Sequence, residues 1–166
     1  QAFHKRFDPS IKRKKTDKPE EHKALLALID DVAGFEQDRL FRRLYHLMMA
    51  TIRTNYYQED GKKPYLSFKF DSALVPDLPK PRPHYEMYVY AVDFEAVHLR
   101  ADMSENLKAA RGGLRWSDRF ADYRTEVLGL MKAQHVKNSI IVPSGAKGGF
   151  VVKVSADDPD YLEQGK

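Results

Sequence analysis

Cysteine is absent from the 166 residues of the chain. Disulfide bridges and thiolate-ligated metal sites are therefore excluded, and a reducing compartment is compatible with the composition. His84, His98 and His135 show no ligand spacing with acidic partners, so we expect no metal. No apolar run approaches the ~20 residues of a membrane span, and the basic N-terminus lacks the apolar core of a signal peptide. We therefore expect a cytoplasmic protein with no membrane partner.

Nucleotide-binding signatures are missing as well. The segment 145–148 resembles a phosphate loop only superficially, because that loop needs a Ser or Thr after its lysine and Gly148 stands there. The dinucleotide fingerprint GxGxxG does not occur either. What remains is Lys147 between residues with almost no side chain, which lets a small substrate and the backbone approach it closely. The alternative for this short segment is a surface turn with an incidental lysine.

Positive charge is concentrated at the N-terminus. The formal net charge is +4. Residues 1–18 hold seven basic side chains and the two acidic side chains Asp8 and Asp17, which gives them a net charge of +5. The net charge of the other residues is therefore +4 − 5 = −1. A short basic segment is more often a solvated linker than a binding arm, and no nucleic-acid motif accompanies it. We interpret 1–18 as a leader or linker and expect no nucleic-acid partner.

The remaining residues, 19–166, can bury one core, and their patterns alternate between helix and strand. Pro19 opens a helix that Gly34 ends, and a second helix begins near Gln37. The second helix carries an apolar stripe that we expect to pack against a sheet, while its arginines face solvent or another subunit. The stripe comprises Leu40, Phe41, Leu44, Leu47, Met48 and Ile52.

Strand patterns follow the two helices. Leu66, Phe68 and Phe70 alternate with polar residues, as in a half-buried strand. A proline-rich connector, 76–83, leads into a hairpin over 85–100 that reverses near Asp93. The segment 101–108 is polar and predicted to be a loop. A last strand is predicted over 148–154.

A third helix begins near Asp122 and carries an unusual stripe. Its apolar positions, Val127, Leu130 and Met131, are continued on the same face by Gln134 and Lys137. Such a stripe is typical of a helix that runs from a packed interior to the wall of a polar cleft. The alternative is a helix that emerges into water, with Lys137 favoured by the C-terminal dipole.

Several ordered motifs stand out in the second half of the chain: RGGLRWSDR at 111–119, YRTEVLGLMKAQ at 123–134, VKN at 136–138 and VPSGAKGGF at 142–150. Shorter motifs lie upstream at 53–57, 66–69 and 81–83. Together they resemble one family, the NAD-dependent glutamate dehydrogenases of the large-subunit bacterial class. The resemblance covers about 34–154.

The resemblance implies roles for individual residues, by way of the related small-subunit enzymes. Lys147 takes the place of their catalytic lysine, Lys137 that of a lysine that binds the α-carboxylate, and Gln134 lies beside it. Arg111 stands where those enzymes have a lysine, and its planar fork can hold the distal carboxylate. The segment between Lys137 and Lys147 is shorter than in those enzymes. The implied glycine-rich loops contain Gly112, Gly113, Gly145, Gly148 and Gly149.

The implied activity is oxidative deamination of L-glutamate to 2-oxoglutarate and ammonia, with hydride passing to NAD. A lysine that shuttles protons in such a reaction needs a pKa well below the usual ~10.4. The implied fold is α/β, a mixed sheet flanked by helices, as in the substrate-binding and oligomerisation domain of the amino-acid dehydrogenases. The Rossmann domain, which binds most of the NAD, is expected to lie outside the chain. We therefore expect a fragment that is inactive alone and self-associates as part of a homo-oligomer.

Two other functions stay open. One is a non-catalytic amino-acid-binding or assembly module derived from such an enzyme, which loss of Lys147 or Gln134 would have favoured. The other is a dehydrogenase for leucine or phenylalanine, which would need no cation for a side-chain carboxylate, so Arg111 favours glutamate. Glutarate should inhibit a glutamate site and leave a leucine site untouched.

Overall fold

The computed structural model describes residues 2–12, 18–101, 112–138 and 145–153. Within these ranges, three helices are followed by five strands, and then by a fourth helix and a sixth strand, with two short 3-10 turns among the strands. The helices are α1 (Ala2–Phe7), α2 (Lys18–Asp30), α3 (Phe35–Ala50) and α4 (Tyr123–Asn138). The strands are β1 (Thr51–Thr54), β2 (Tyr65–Asp71), β3 (Tyr85–Ala91), β4 (Phe94–Arg100), β5 (Leu114–Trp116) and β6 (Ala146–Val152).

The six strands form one open sheet in the order β1-β2-β3-β4-β6-β5. Neighbouring strands are antiparallel except β5 and β6, which run parallel and are joined through α4. A parallel pair needs such a crossover connection, and a helix of this length supplies it. The predicted mixed α/β architecture with helices beside the sheet is therefore confirmed.

The core lies between α4 and the middle of the sheet. Val97 and Leu99 of β4 and Val151 of β6 pack against α4, where Val127 and Met131 are each only 1% exposed. Gly149 faces the same side, because a methyl group at Gly149 would lie 2.4 Å from Cγ2 of Val127. The opposite side of the sheet carries His98 and Gly148, and Leu114 of β5 lies against them.

Most predicted elements are present. The predicted helices correspond to α2, α3 and α4, the alternating segment is β2, and the hairpin is β3–β4. The connector 76–83 forms no helix or strand and contains a cis peptide bond between Lys80 and Pro81. The last strand begins at Ala146, earlier than predicted, and ends at Val152. Val154 and the predicted loop 102–108 lie outside the described residues.

The expected burial of the α3 stripe is wrong for most of its length. Leu40, Phe41 and Leu44 remain 45–54% exposed in the described structure. Ile52 does not belong to the helix at all, because α3 ends at Ala50 and Ile52 lies in β1. The helix contacts α2 and the 3-10 turn after β2 more than it contacts the sheet, so one side of it stays open.

Three elements, α1, β1 and β5, were not predicted from the sequence. The basic N-terminal segment contains α1, whose Phe3 ring packs edge-on against Tyr56 and Phe68. Strands β1 and β5 have only four and three residues, too short for an alternating pattern to be recognised. None of the described helices is long and apolar enough to cross a bilayer.

Candidate active site

Lys147 lies near the start of β6, on the side of the sheet that α4 covers. It is directly opposite Leu99 in the antiparallel register, and opposite residues in such a pair point to the same side. Leu99 is fully buried, and Lys147 itself is half-buried. Among the described residues the Lys147 amine forms no ion pair or hydrogen bond. A partly shielded amine with an apolar neighbour is thus placed at the edge of the core.

The end of α4 meets the start of β6 beside this lysine. Gly145, directly before β6, has no side chain at this contact. A methyl group there would lie 3.7 Å from the carbonyl oxygen of Met131. The same methyl group would lie 3.9 Å from the amide carbon and oxygen of Gln134. The structure therefore brings Gln134 and the Lys147 strand together. Lys137 follows in the last turn of α4, and its side chain lies outside the described residues.

The segment before β5 crosses the start of β6 at close range. A Cβ at Gly112 would fall 1.4 Å from the carbonyl oxygen of Ala146, so only glycine can occupy this position without moving the backbone. The carbonyl of Gly113 accepts a hydrogen bond from the amide of Gly148 at 3.3 Å. Arg111 directly precedes this crossing and lies outside the described residues.

The glycines of the predicted glycine-rich loops thus differ in the structural reason for which a side chain is absent. Gly112 is required by backbone approach, and Gly149 by the packing of α4 against the sheet. Gly148 faces the other side, where a Cβ would lie 2.6 Å from Leu114 and 3.2 Å from the His98 ring. Gly113 has nothing within 4 Å, so its side-chain space is open. The glycines allow three chain segments to meet at the start of β6.

The electrostatics of this corner favour cationic side chains. The C-terminal end of α4 points towards it, and a helix C-terminus carries partial negative charge on its free carbonyls. A carboxylate arriving there would be repelled by the helix rather than bound by it. Lysine or arginine side chains must therefore supply the attraction for any anionic substrate, which agrees with the residue types that the sequence places there.

Sequence reasoning missed how α4 is fixed in position. Arg124 donates from Nε and Nη2 to the carboxylate of Glu86 on β3, at 2.6 and 2.7 Å. This hydrogen bonding raises the pKa of Arg124, although burial opposes the shift. Glu126, two residues further along α4, bonds to Arg115 of β5 and to Ser117 in the turn after it. Neither contact has a sequence signal, because the partners lie in different elements.

A second network lies on the α4 side of the sheet, away from Lys147. The Tyr88 hydroxyl donates to Glu95 at 2.7 Å, and the Lys153 amine lies 3.0 Å from the same carboxylate. Burial, and then the bond to Glu95, raise the pKa of Tyr88. Burial would raise the pKa of Glu95, but the bonds from Tyr88 and Lys153 lower it. Burial also raises the pKa of Tyr123 to about 12. This network stabilises the β3–β4 hairpin.

The described residues do not fit a dinucleotide. Dinucleotides bind at the turn between a strand and the following helix of a parallel pair. Among the described residues the only such turn is 117–122, between β5 and α4. That turn has no glycine for close approach of a pyrophosphate, and it carries Asp118 and Asp122 at the start of the helix. Carboxylates there repel phosphate groups. In the same described part, no group of three histidine, aspartate or glutamate side chains could hold a metal ion.

Comparison with known proteins identifies relatives over nearly the whole chain. The family model described as bacterial NAD-glutamate dehydrogenase, catalytic domain, matches residues 24–165. The NAD-specific glutamate dehydrogenase of Halomonas elongata is 51% identical over 161 residues, which cover 95% of this chain and 10% of that protein.

Two further relatives have the same name. The NAD-specific glutamate dehydrogenase of Pseudomonas aeruginosa is 56% identical over 131 residues, 77% of this chain and 8% of that protein. The Mycobacterium tuberculosis enzyme is 50% identical over 134 residues, 78% of this chain and 8% of that protein. The chain therefore spans only a small part of the length of these curated relatives. With this identity and coverage, the chain belongs to the bacterial NAD-glutamate dehydrogenase family, within its catalytic domain.

Proposed function

We propose that the chain is the substrate-binding part of an NAD-dependent glutamate dehydrogenase, which oxidatively deaminates L-glutamate to 2-oxoglutarate and ammonia. In this proposal Lys147 is the catalytic lysine. Gln134 and Lys137 hold the α-carboxylate, and Arg111 holds the distal carboxylate. The complete polypeptide carries the activity, and this chain alone is inactive. The complete enzyme acts as a homo-oligomer in the cytoplasm.

The observation that supports this proposal best is the meeting of three segments at the start of β6. Gly112 packs on Ala146, Gln134 lies beside Gly145, and Lys147 follows directly on the strand. A structural turn with an incidental lysine does not require this arrangement. The glycines remove the side chains that would otherwise fill the space around the amine, which leaves access for a small substrate.

Glutamate needs two separate cationic groups. Each of its carboxylates loses hydration in a cleft, and an unpaired buried charge is very unfavourable. In this proposal Lys137, which belongs to α4, and Arg111, which precedes β5 in the sequence, each bind one of the two carboxylates. The negative end of the α4 dipole adds the need for a cation on the helix itself.

Lys147 is suited to transferring protons to and from the α-amino nitrogen of the substrate and the water molecule that attacks it. It lies on a strand of the central sheet rather than on a loop, so its position is well defined. Leu99 shields one side of it, and no described carboxylate neutralises it. In this proposal the NAD is held mainly by parts of the complete enzyme outside this chain. The proposed role of this chain is limited to holding glutamate and transferring protons.

The test is a lysine replacement in the complete polypeptide. Lys147→Met should lower kcat for NADH formation from L-glutamate by about 10²- to 10⁴-fold, the usual contribution of a general acid–base group. Glutamate binding, measured by calorimetry, should be largely retained. Lys132→Met provides a matched control, because Lys132 is an exposed lysine on α4. The control should keep near-normal kcat.

Near-normal turnover by the Lys147→Met enzyme would contradict the assigned role. Absence of activity in the unaltered complete polypeptide, with glutamate still bound, would favour a non-catalytic amino-acid-binding module. Turnover of leucine in preference to glutamate would favour a dehydrogenase for another amino acid.

A further inference from the structure

Two motifs of the sequence, at 53–57 and 66–69, have no part in the proposed glutamate site, and the fold places them side by side. The first begins in β1 and the second lies in β2, and these two strands are antiparallel. Arg53 lies opposite Lys69 in their register. Opposite residues of such a pair point to the same side of the sheet, with their Cβ atoms about 5 Å apart. The fold therefore brings two cationic side chains together.

Like charges in this arrangement are unfavourable unless an anion compensates them. Within the described ranges, neither Arg53 nor Lys69 forms an ion pair. The Lys69 amine lies 3.9 Å from the centre of the Tyr85 ring, which attracts a cation but carries no negative charge. Asp71, the acidic residue of β2 on the same side, instead accepts a hydrogen bond from the Ala73 amide at 3.0 Å. The two strands thus supply no carboxylate that neutralises the pair.

Arg53 and Lys69 line an open cavity of about 570 Å³, which is within the size range of small-molecule sites. It is referred to below as the β1–β2 groove. None of the described residues that line it is acidic, and Ser67 and Gln58 add side chains that can donate hydrogen bonds. The apolar part of the lining comprises Phe7, Ile52, Phe68, Met87 and Val89. The groove therefore offers positive charge, hydrogen-bond donors and apolar surface together.

Asn55 holds the two strands of the groove together. It is 7% exposed, its side-chain nitrogen donates to the carbonyl of Tyr65 at 2.9 Å, and its side-chain oxygen accepts from the Ser67 amide at 2.7 Å. A buried amide that is bonded through both its nitrogen and its oxygen fixes the geometry around it. Arg53 and Lys69 are therefore held near each other before any ligand binds.

Protection of the sheet edge is the alternative explanation for such cations. Edge strands carry charged side chains that prevent pairing with another chain, and β1 lies at the edge of the sheet. This would account for Arg53 alone. Lys69 lies in β2, which is paired on both sides, so edge protection does not explain why Lys69 is there.

The β1–β2 groove is separate from the proposed glutamate site. In the register, Lys69 is opposite Met87, and Met87 is opposite His98. Lys69 therefore shares with His98 the side of the sheet away from α4, whereas Lys147 faces α4. Strands β2 and β6 are also three strand spacings apart, about 14 Å. A small ligand in the groove does not contact Lys147.

We propose that the β1–β2 groove binds a small organic anion, a carboxylate or phosphate attached to an apolar body. The oxyanion binds between Arg53 and Lys69, and the apolar body packs against Met87 and Val89. The planar fork of an arginine and the point charge of a lysine both suit either kind of oxyanion. The inference goes beyond the proposed function, because it assigns a second ligand site that takes no part in the deamination.

The experiment measures the binding of two probes to the complete polypeptide by calorimetry. The probes are phenylacetate, a carboxylate, and phenyl phosphate, and glutarate is present in excess to occupy the proposed glutamate site. At least one probe should bind, and the tighter one identifies the oxyanion. Arg53→Gln and Lys69→Gln should each weaken this binding at least about tenfold, because each removes a hydrogen bond between a cation and the oxyanion.

Two variants and a neutral ligand serve as controls. Lys69→Arg keeps the charge and should retain binding. Lys62→Gln removes an exposed lysine that does not line the groove, and should leave binding unchanged. Benzyl alcohol has an aromatic body without the charge and should not bind.

Three results would overturn the inference. One is that neither probe binds at millimolar concentration, and another is that Arg53→Gln and Lys69→Gln leave the binding unchanged. The third is binding of a polyglutamate peptide in place of both probes, which would assign the groove to an acidic protein segment. NADH formation from L-glutamate by the unaltered polypeptide tests the proposed function separately, so failure of one proposal is distinguishable from failure of the other.

Discussion

At the scale of single residues, two neighbouring glycines of β6 face opposite sides of the sheet. A Cβ at Gly149 would lie 2.4 Å from Val127, which is 1% exposed and β-branched, so it cannot move aside. A Cβ at Gly148 would lie 2.6 Å from Cδ2 of Leu114, which is 71% exposed and free to rotate. The two positions therefore differ in how much room the packing leaves.

Replacement of each glycine by alanine should expose this difference. Gly149→Ala should lower the free energy of unfolding by about 1–3 kcal/mol, because it overpacks the core under α4. Gly148→Ala should cost less than about 1 kcal/mol, since a surface leucine can yield. Urea denaturation of both variants measures this, and equal losses would show that the α4 packing does not set the requirement for glycine.

His98 should make the stability of the fold depend on pH. Burial, and then the nearby positive charge of Arg100, lower the pKa of His98 in the folded chain from its ordinary value of 6.5. Nδ1 of His98 has no hydrogen-bond partner within the described ranges. Below about pH 6.5 the unfolded chain binds a proton that the folded chain does not, so stability falls as the pH drops through this value.

The measurement is chemical denaturation between pH 7.5 and 5.5, in the wild-type chain and in His98→Gln. The wild type should lose stability on acidification, and the variant should lose less. Glu95 does not interfere, because its pKa is lowered from the ordinary value of 4.5 and its contribution to stability is lost only in more acidic solution. Parallel pH profiles for the two chains would rule out His98 as the cause.

At the scale of elements, the link between Arg124 and Glu86 holds α4 against β3. Arg124 and Glu86 are 27% and 13% exposed, so each loses much of its hydration. Removal of one partner leaves the other charge buried, and Arg124→Met should therefore lower the free energy of unfolding by about 3 kcal/mol. Thermal or urea denaturation measures the loss.

The double variant Glu86→Leu with Arg124→Met is the matched comparison. With both charges gone, apolar side chains replace the pair, and the double variant should recover to within about 1 kcal/mol of the wild type. If the double variant is as unstable as the single one, the contribution comes from packing of the arginine stem and not from the charge pair.

The elements differ in how well their patterns revealed them. The helices α2, α3 and α4 have long periodic stripes, and β2 alternates over several residues, so each was predicted. Strand β5 pairs with β6, to which α4 returns the chain in parallel. Its three residues are too few to show a period of their own. The burial of the α3 stripe against the sheet was predicted wrongly, because an apolar stripe indicates a surface that another surface can cover but does not identify that other surface.

At the scale of the whole molecule, α3 leaves a large apolar surface open. Leu40 and Leu44 are 54% and 52% exposed, and Phe35 at the start of the helix is 76% exposed. Leu40 and Leu44 are four residues apart and share one face of the helix, and exposed apolar faces of this kind mark interaction sites on proteins. The isolated chain should therefore self-associate at micromolar concentrations in sedimentation velocity experiments, and Leu44→Glu should shift the population towards monomer.

Val92→Glu is the control for added charge. Val92 is 86% exposed and lies in the β3–β4 turn, where it lines a cavity with Tyr65 and Tyr90 rather than with residues of α3. It should leave association unchanged. A wild-type chain that sediments only as a monomer would contradict the prediction, and equal effects of the two variants would place the contact elsewhere.

The amino-acid sequence by itself determined the chemistry available to this protein. The order of motifs from Arg111 to Gly149 sufficed to place the chain in its family, because residue types and their spacing can be read directly from the sequence. The same sequence indicated the major helices and strands, since periodicity is a local property of the chain. The roles of Arg111, Lys137 and Lys147 remain predictions.

Only the tertiary structure decided which segments meet. It placed Gly112 against Ala146 and Gln134 against Gly145, and it linked Glu126 to Ser117 across a turn. These contacts join residues of different elements, and their geometry depends on strand order and helix packing, which no local pattern encodes. The sequence therefore specified which side chains are available, while the parallel β5–α4–β6 crossover decided that the segments of Gly112, Gln134 and Lys147 meet at the start of β6.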